Sequence, residues 1–203
     1  MKRYLPVVAV VVMLAASSAV ASPNTFGQLI QMQRSTITQR TCGAPEPTQA
    51  ELAQVGTALR RYAGETAALA TGNIKVAFHV IYSASTGEGN IPQSQIDAQI
   101  AKLNSDYAGT GFTFTLASVS RTANNKYFTM TPGSRNETNA KNALAVDPLH
   151  RFNVYTAKPG QGLLGWATFP WSYAESSNKH GVVIHYASVP GGSLAPYNLG
   201  RTL

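Results

Sequence analysis

The chain is 203 residues long, 44% hydrophobic and only 12% charged. That length supports one domain with a core, and a charged share half the ~25% of soluble domains fits a secreted protein better than a cytosolic one. The formal charge of +7 sits on scattered basic residues apart from Arg60-Arg61, with no basic stripe interleaved with aromatics, which argues against nucleic-acid binding.

Lys2 and Arg3 form a basic n-region, Leu5 to Ala16 an apolar h-region, and Ala19-Val20-Ala21 a small-residue cleavage site before Ser22. This pattern predicts a secretory signal peptide over residues 1–21. The apolar run is shorter than the ~20 residues of a membrane span, so a membrane anchor is not expected. Removing the signal takes Lys2 and Arg3 away and lowers the formal charge from +7 to +5. Residues 22–47 are polar, and Cys42-Gly43-Ala44-Pro45-Glu46-Pro47 disfavours regular structure. Cys42 is the single cysteine, so it has no internal disulfide partner. It is a free thiol, an intermolecular bridge or a metal ligand.

Thr48 and Glu51 make a capping box, and Leu52, Val55, Leu59 and Tyr62 recur at helical spacing, predicting a helix from about Gln49 to Tyr62. Arg60-Arg61 near its end reads either as a solvated helix C-terminus or as a processing site. Ile74 to Tyr82 alternates with both faces fairly apolar, as in a central strand. After the turn Thr86–Asn90, Pro92 opens a second helix whose stripe is Ile96, Ile100, Leu103 and Tyr107, ending at Gly109-Thr110-Gly111. Phe112, Phe114 and Leu116 form a second strand, Ser134 and Glu137 cap a third helix running to about Leu144, and Phe152 to Thr156 is a third strand. Val182-Val183-Ile184 is a short apolar strand of the same sheet. The succession is α/β with crossovers. Asn136-Glu137-Thr138 is a glycosylation sequon, usable at Asn136 in a eukaryotic source.

The residues show no catalytic constellation. His79, His150, His180 and His185 include no His-x-x-x-His pair, there is no Gly-x-Ser-x-Gly elbow, and the nine acidic residues are dispersed. The apolar segment Leu163–Trp171 is interrupted by Gly165 and Pro170. It reads either as a sheet edge that could pair with an extended peptide or as a buried aromatic loop.

Several of these pieces carry a family likeness. Arg40-Thr41-Cys42-Gly43, Phe78-His79-Val80-Ile81-Tyr82, Leu163 to Trp171, Gly181 to Ile184, and Pro190-Gly191-Gly192 leading to Tyr197-Asn198-Leu199-Gly200-Arg201-Thr202-Leu203 resemble secreted zinc metalloproteases of the pappalysin family, bacterial and fungal branch. The resemblance implies an α/β (α+β), metzincin-like upper subdomain: a twisted mixed sheet with two backing helices. It divides the chain into a signal peptide (1–21), a pro-segment (22–61) and the upper part of a catalytic domain (62–203). It implies that Cys42 is a pro-segment zinc switch in a latent form, that Arg60 and Arg61 mark processing, and that Gly165, Trp166, Ala167, Thr168 and Phe169 hold the backbone of a protein or peptide substrate. In that family the residues after such an Asn-Leu-Gly-x-Thr-Leu segment open a helix bearing His-Glu-x-x-His-x-x-Gly-x-x-His, whose histidines bind Zn²⁺ and whose glutamate activates water. The sequence stops at Leu203, so the lower subdomain, the zinc ligands and the catalytic base are expected to be missing. A chain inactive by itself follows, either as a truncated secreted zinc metalloendopeptidase or as a non-catalytic binding module or inert remnant. Loss of the zinc-binding helix is expected to leave strand side chains around Ile81 and Val183 in water and the fold poorly stable.

Overall fold

The structure is a computed structural model that describes residues 40–63 and 71–203, without the side chains of residues 58, 59 and 61–63. The signal segment 1–21 lies outside the described residues, as does the pro-segment up to residue 39.

The sheet is built around β2 (Gly72–Tyr82). Alternation sends Val76, Phe78 and Val80 to one face and His79 and Ile81 to the other, and all five are buried. β2 pairs in parallel with β3 (Phe112–Ala123) on one side and β4 (Phe152–Ala157) on the other. Parallel neighbours need crossovers. α2 (Gln93–Asp106) joins β2 to β3, and α3 (Asn125–Phe128) with α4 (Arg135–Leu144) joins β3 to β4. β4 pairs in parallel with β6 (Val182–His185), and β5 (Leu163–Ala167) lies antiparallel on β6. β1 (Thr41–Cys42) completes a six-stranded mixed sheet of order β1-β5-β6-β4-β2-β3. α1 (Gln49–Ala63) follows β1.

Each face of the sheet has its own core. Ile96, Ile100 and Leu103 of α2 pack with Val76, Phe78, Val80, Phe114, Val154 and Ile184. On the other face Phe128, Met130 and Ala140 cover Ile81, Tyr155, Trp166 and Val183. Ile81 and Val183 are fully buried, which overturns the expectation that they are left in water. The register explains it: they point to the face roofed by α3 and α4, opposite to the face that carries Ile184.

Other expectations shift at element ends. β3 runs on to Ala123, beyond the alternation of Phe112, Phe114 and Leu116, because parallel pairing with all of β2, across a bulge at Val76/Ala77, holds a polar stretch that carries no apolar alternation. Pro92 is the N-cap of α2, one residue before the helix proper. β1 and α3 had no periodic signal. α3 forms because the Asn124 side chain accepts from the backbone N–H of Lys126 and Tyr127. Thr48 and Glu51 make a reciprocal capping box at α1, yet Leu52 of its apolar stripe is 46% exposed.

Candidate functional site

The strand from the Leu163–Trp171 segment ends at Ala167. Thr168 and Phe169 leave the sheet, and Pro170–Ser172 form one 3-10 turn. Gly165 is required by close approach, since a Cβ there would run into the Val183 carbonyl of β6. The outer edge of β5 is paired: Thr41 N–H donates to the Gly162 carbonyl at 3.1 Å and Gly43 N–H to the Gly165 carbonyl at 2.7 Å. The chain's own Thr41-Cys42-Gly43 therefore lies on this edge as an extended parallel strand.

Further contacts hold that segment. Gly43 is backed so closely that a Cβ would sit 3.1 Å from Pro132 and 3.3 Å from Leu163. Arg40 N–H donates to the Tyr197 hydroxyl at 3.4 Å, and Trp171 Nε1 donates to Glu51 Oε1 at 3.4 Å. Cys42 is an exposed free thiol. Arg60 is exposed on α1 and bonds Thr57, and Arg61 is the next residue of the same helix. Asn136 is half-buried in the first turn of α4.

A cleft of about 330 Å³ opens beside the β5 edge, walled by Gly43, Pro45, Pro132, Trp166, Phe169 and Tyr173. Its inner wall carries an ion pair that the spacing of carboxylates did not reveal. Lys141 Nζ lies 2.8 Å from Glu137 Oε1, and Lys141 is 2% exposed. Glu137 accepts from Trp166 Nε1 at 2.7 Å and from Gly133 N–H at 2.7 Å. Lys141 also donates to the Lys179 carbonyl at 3.0 Å and to Thr168 Oγ1 at 3.4 Å, and the Thr168 hydroxyl donates to the same carbonyl at 2.9 Å. The Glu137–Lys141 spacing of four on one helix was the only legible hint. Phe169 of the cleft wall stacks on Trp171 with ring centroids 4.7 Å apart.

The histidines are committed elsewhere. Asn153 donates through Nδ2 to the Val146 and Arg151 carbonyls and accepts Val146 N–H on Oδ1. Its Oδ1 therefore also accepts from His79 Nε2, and the Ser120 hydroxyl donates to His79 Nδ1. Burial holds the His79 pKa below its ordinary value. His185 accepts Ala187 N–H on Nδ1. Burial first, then the Arg40 and Lys158 cations, push its pKa down to about 4 against the opposing pull of Glu88. His150 pairs with Asp147, and His180 Nε2 donates to the Ala174 carbonyl. Among the described residues no group of three His, Cys, Asp or Glu side chains gathers to hold a metal ion. The described donor set does not fit a catalytic zinc, and Cys42 offers a single sulfur.

No family model matches the chain. Among curated proteins it is 36% identical to an extracellular metalloprotease of Colletotrichum graminicola over 82% of this chain and 61% of that protein. It is 33% identical to an extracellular metalloprotease of Neurospora crassa over 91% of this chain and 65% of that protein. The chain thus spans less than two thirds of the length of these relatives. Among solved structures, a promirolysin mutant from Tannerella forsythia matches with TM-score 0.63 at 23% identity, covering 80% of this chain and 66% of that one. Mature mirolysin in complex with a cleaved peptide, from the same organism, matches with TM-score 0.55 at 27% identity, covering 66% and 60%. The mixed α/β fold with its twisted six-stranded sheet is similar to that of mirolysin.

Proposed function

We propose that this chain is the sheet-bearing part of a secreted zinc metalloendopeptidase of the pappalysin type, supplying the edge that holds a substrate backbone during peptide-bond hydrolysis. The observation that carries the reading is Thr41-Cys42-Gly43 seated as an extended strand on β5. An edge that pairs with one extended segment offers the same N–H and C=O groups to another. The likeness to extracellular metalloproteases supports the reaction class and an extracellular setting, and no helix among the described residues is long and apolar enough to cross a membrane. Residues 22–61 act as the pro-segment, released by cleavage near Arg60-Arg61, and Cys42 offers its thiolate to zinc in the latent form. Gly165, Trp166 and Ala167 present the pairing edge, while Thr168 and Phe169 shape its end. Protein or peptide substrates are the partners.

The described residues hold, orient and cover the substrate strand; they assemble no site for the metal. On this reading the described residues bind an extended peptide, and cleavage needs zinc ligands that they do not supply. A non-catalytic binding module is the second reading, favoured by four histidines each engaged in an internal contact.

The test uses a Gly43→Trp variant of the full chain, in which the bulky side chain displaces residues 41–45 from the edge. An eight-residue peptide reproducing residues 40–47, with serine for the cysteine, is titrated in trans with and without zinc. Saturable binding that slows amide exchange across 163–167 is expected. Absence of binding removes the edge from the proposal, and peptide cleavage by the chain would show that its own residues suffice for catalysis.

A further inference from the structure

The Glu137–Lys141 pair is expensive to bury, because two charges leave water and recover the loss only with near-complete hydrogen bonding. Here the bonding is near complete, and it converges on one place. Glu137 holds the indole of Trp166, inside β5, and Lys141 holds both Thr168 and the Lys179 carbonyl. The same carbonyl accepts the Thr168 hydroxyl. Thr168 is the first residue after the strand. The pair thus ties α4 to the strand at Trp166, to the point where it leaves the sheet, and to the 174–180 loop that returns toward β6.

A hydrophobic pair of the same volume would fill this space equally well. It would not supply an acceptor for the indole or donors for the carbonyl and hydroxyl. What the charges add is direction: they fix the twist of Trp166 and pull Thr168 inward, so the pairing edge runs through Gly165 to Ala167 and stops there. Gly165, whose carbonyl accepts Gly43 N–H at 2.7 Å, is the residue before Trp166. We propose that Glu137 and Lys141 are positioning residues for the β5 edge. They set the grip of β5 on whatever extended segment pairs with it, residues 41–43 in this structure and a peptide substrate in their place. This inference rests on the reading of β5 as the substrate edge.

The experiment is amide exchange on the full chain bearing Glu137→Met together with Lys141→Met. This variant removes both charges and leaves neither buried alone. The denaturant midpoint is expected to stay near that of the wild type. The Gly43 amide, which donates to the Gly165 carbonyl, is expected to exchange at least tenfold faster while the β2 amides Val76 to Ile81 keep their rates. Unchanged exchange at Gly43 would overturn the proposal, and so would acceleration spread equally over β2, which would mean general loosening. If the double variant does not fold, Lys141→Arg gives the second reading: a longer cation that still reaches Glu137 should keep the Gly43 rate within threefold of wild type, and a tenfold rise there would overturn the positioning role. Exchange is read without added peptide. A failed peptide titration with intact sensitivity at Gly43 would therefore sink the substrate edge and leave the hold of the pair on residues 41–43 standing.

Discussion

His185 and Asn153 show how much a single residue carries. His185 is 4% exposed and its folded pKa is about 4 against an ordinary 6.5. Below pH 6.5 the unfolded chain takes up a proton at position 185 that the folded chain refuses until about pH 4. Folding therefore weakens as pH falls across that window, by on the order of 3 kcal/mol from this residue, and is fully stabilised above it. His79, lowered by burial, acts in the same direction. Denaturant midpoints measured between pH 7.5 and pH 4.5 should fall steeply for the wild type and less for His185→Gln. Asn153 uses its full amide capacity in one buried junction. Asn153→Leu should cost about 2–4 kcal/mol by urea titration, since it strands Val146 backbone groups and the His79 ring.

Among the elements, β3 is an outer strand, and its exposed edge is managed by a side chain. Asn104 of α2 donates through Nδ2 to the Phe114 carbonyl at 2.9 Å and accepts Phe114 N–H on Oδ1 at 2.7 Å. The amide imitates a neighbouring strand for one residue and pins α2 across the β3 edge. Asn104→Ala should lose about 1–3 kcal/mol and speed exchange of the Phe114 amide ahead of its neighbours. At the opposite end of the sheet, β5 depends on the absence of a side chain. Gly165→Ala would force its Cβ against the Val183 carbonyl, so a loss of about 1–3 kcal/mol is expected, with exchange rising first across β5 and β6.

For the whole molecule, the two cores predict cooperative behaviour. Apolar roofs on both faces leave large exposed side chains such as Leu149, Trp171 and Leu199 at separate points of the chain. Scanning calorimetry of residues 22–203 should show a single transition, with little binding of an apolar dye beforehand. The central strand, the α2 stripe, the helix caps and the α/β order were legible in the sequence, because periodicity and capping act within a few residues along the chain. The same local rules reveal the glycine within β5, the proline that opens the turn after it, and the lone thiol at Cys42. Three things required the tertiary structure. The direction each face of β2 and β6 points depends on which crossover roofs it, and that placed Ile81 and Val183 under α3 and α4. The pairing of Thr41–Cys42 with β5 joins residues more than a hundred positions apart through backbone groups that carry no sequence code. The Glu137–Lys141 contact with Trp166 and Thr168 exists only because α4 packs over the end of β5, where low polarity makes each of those hydrogen bonds count.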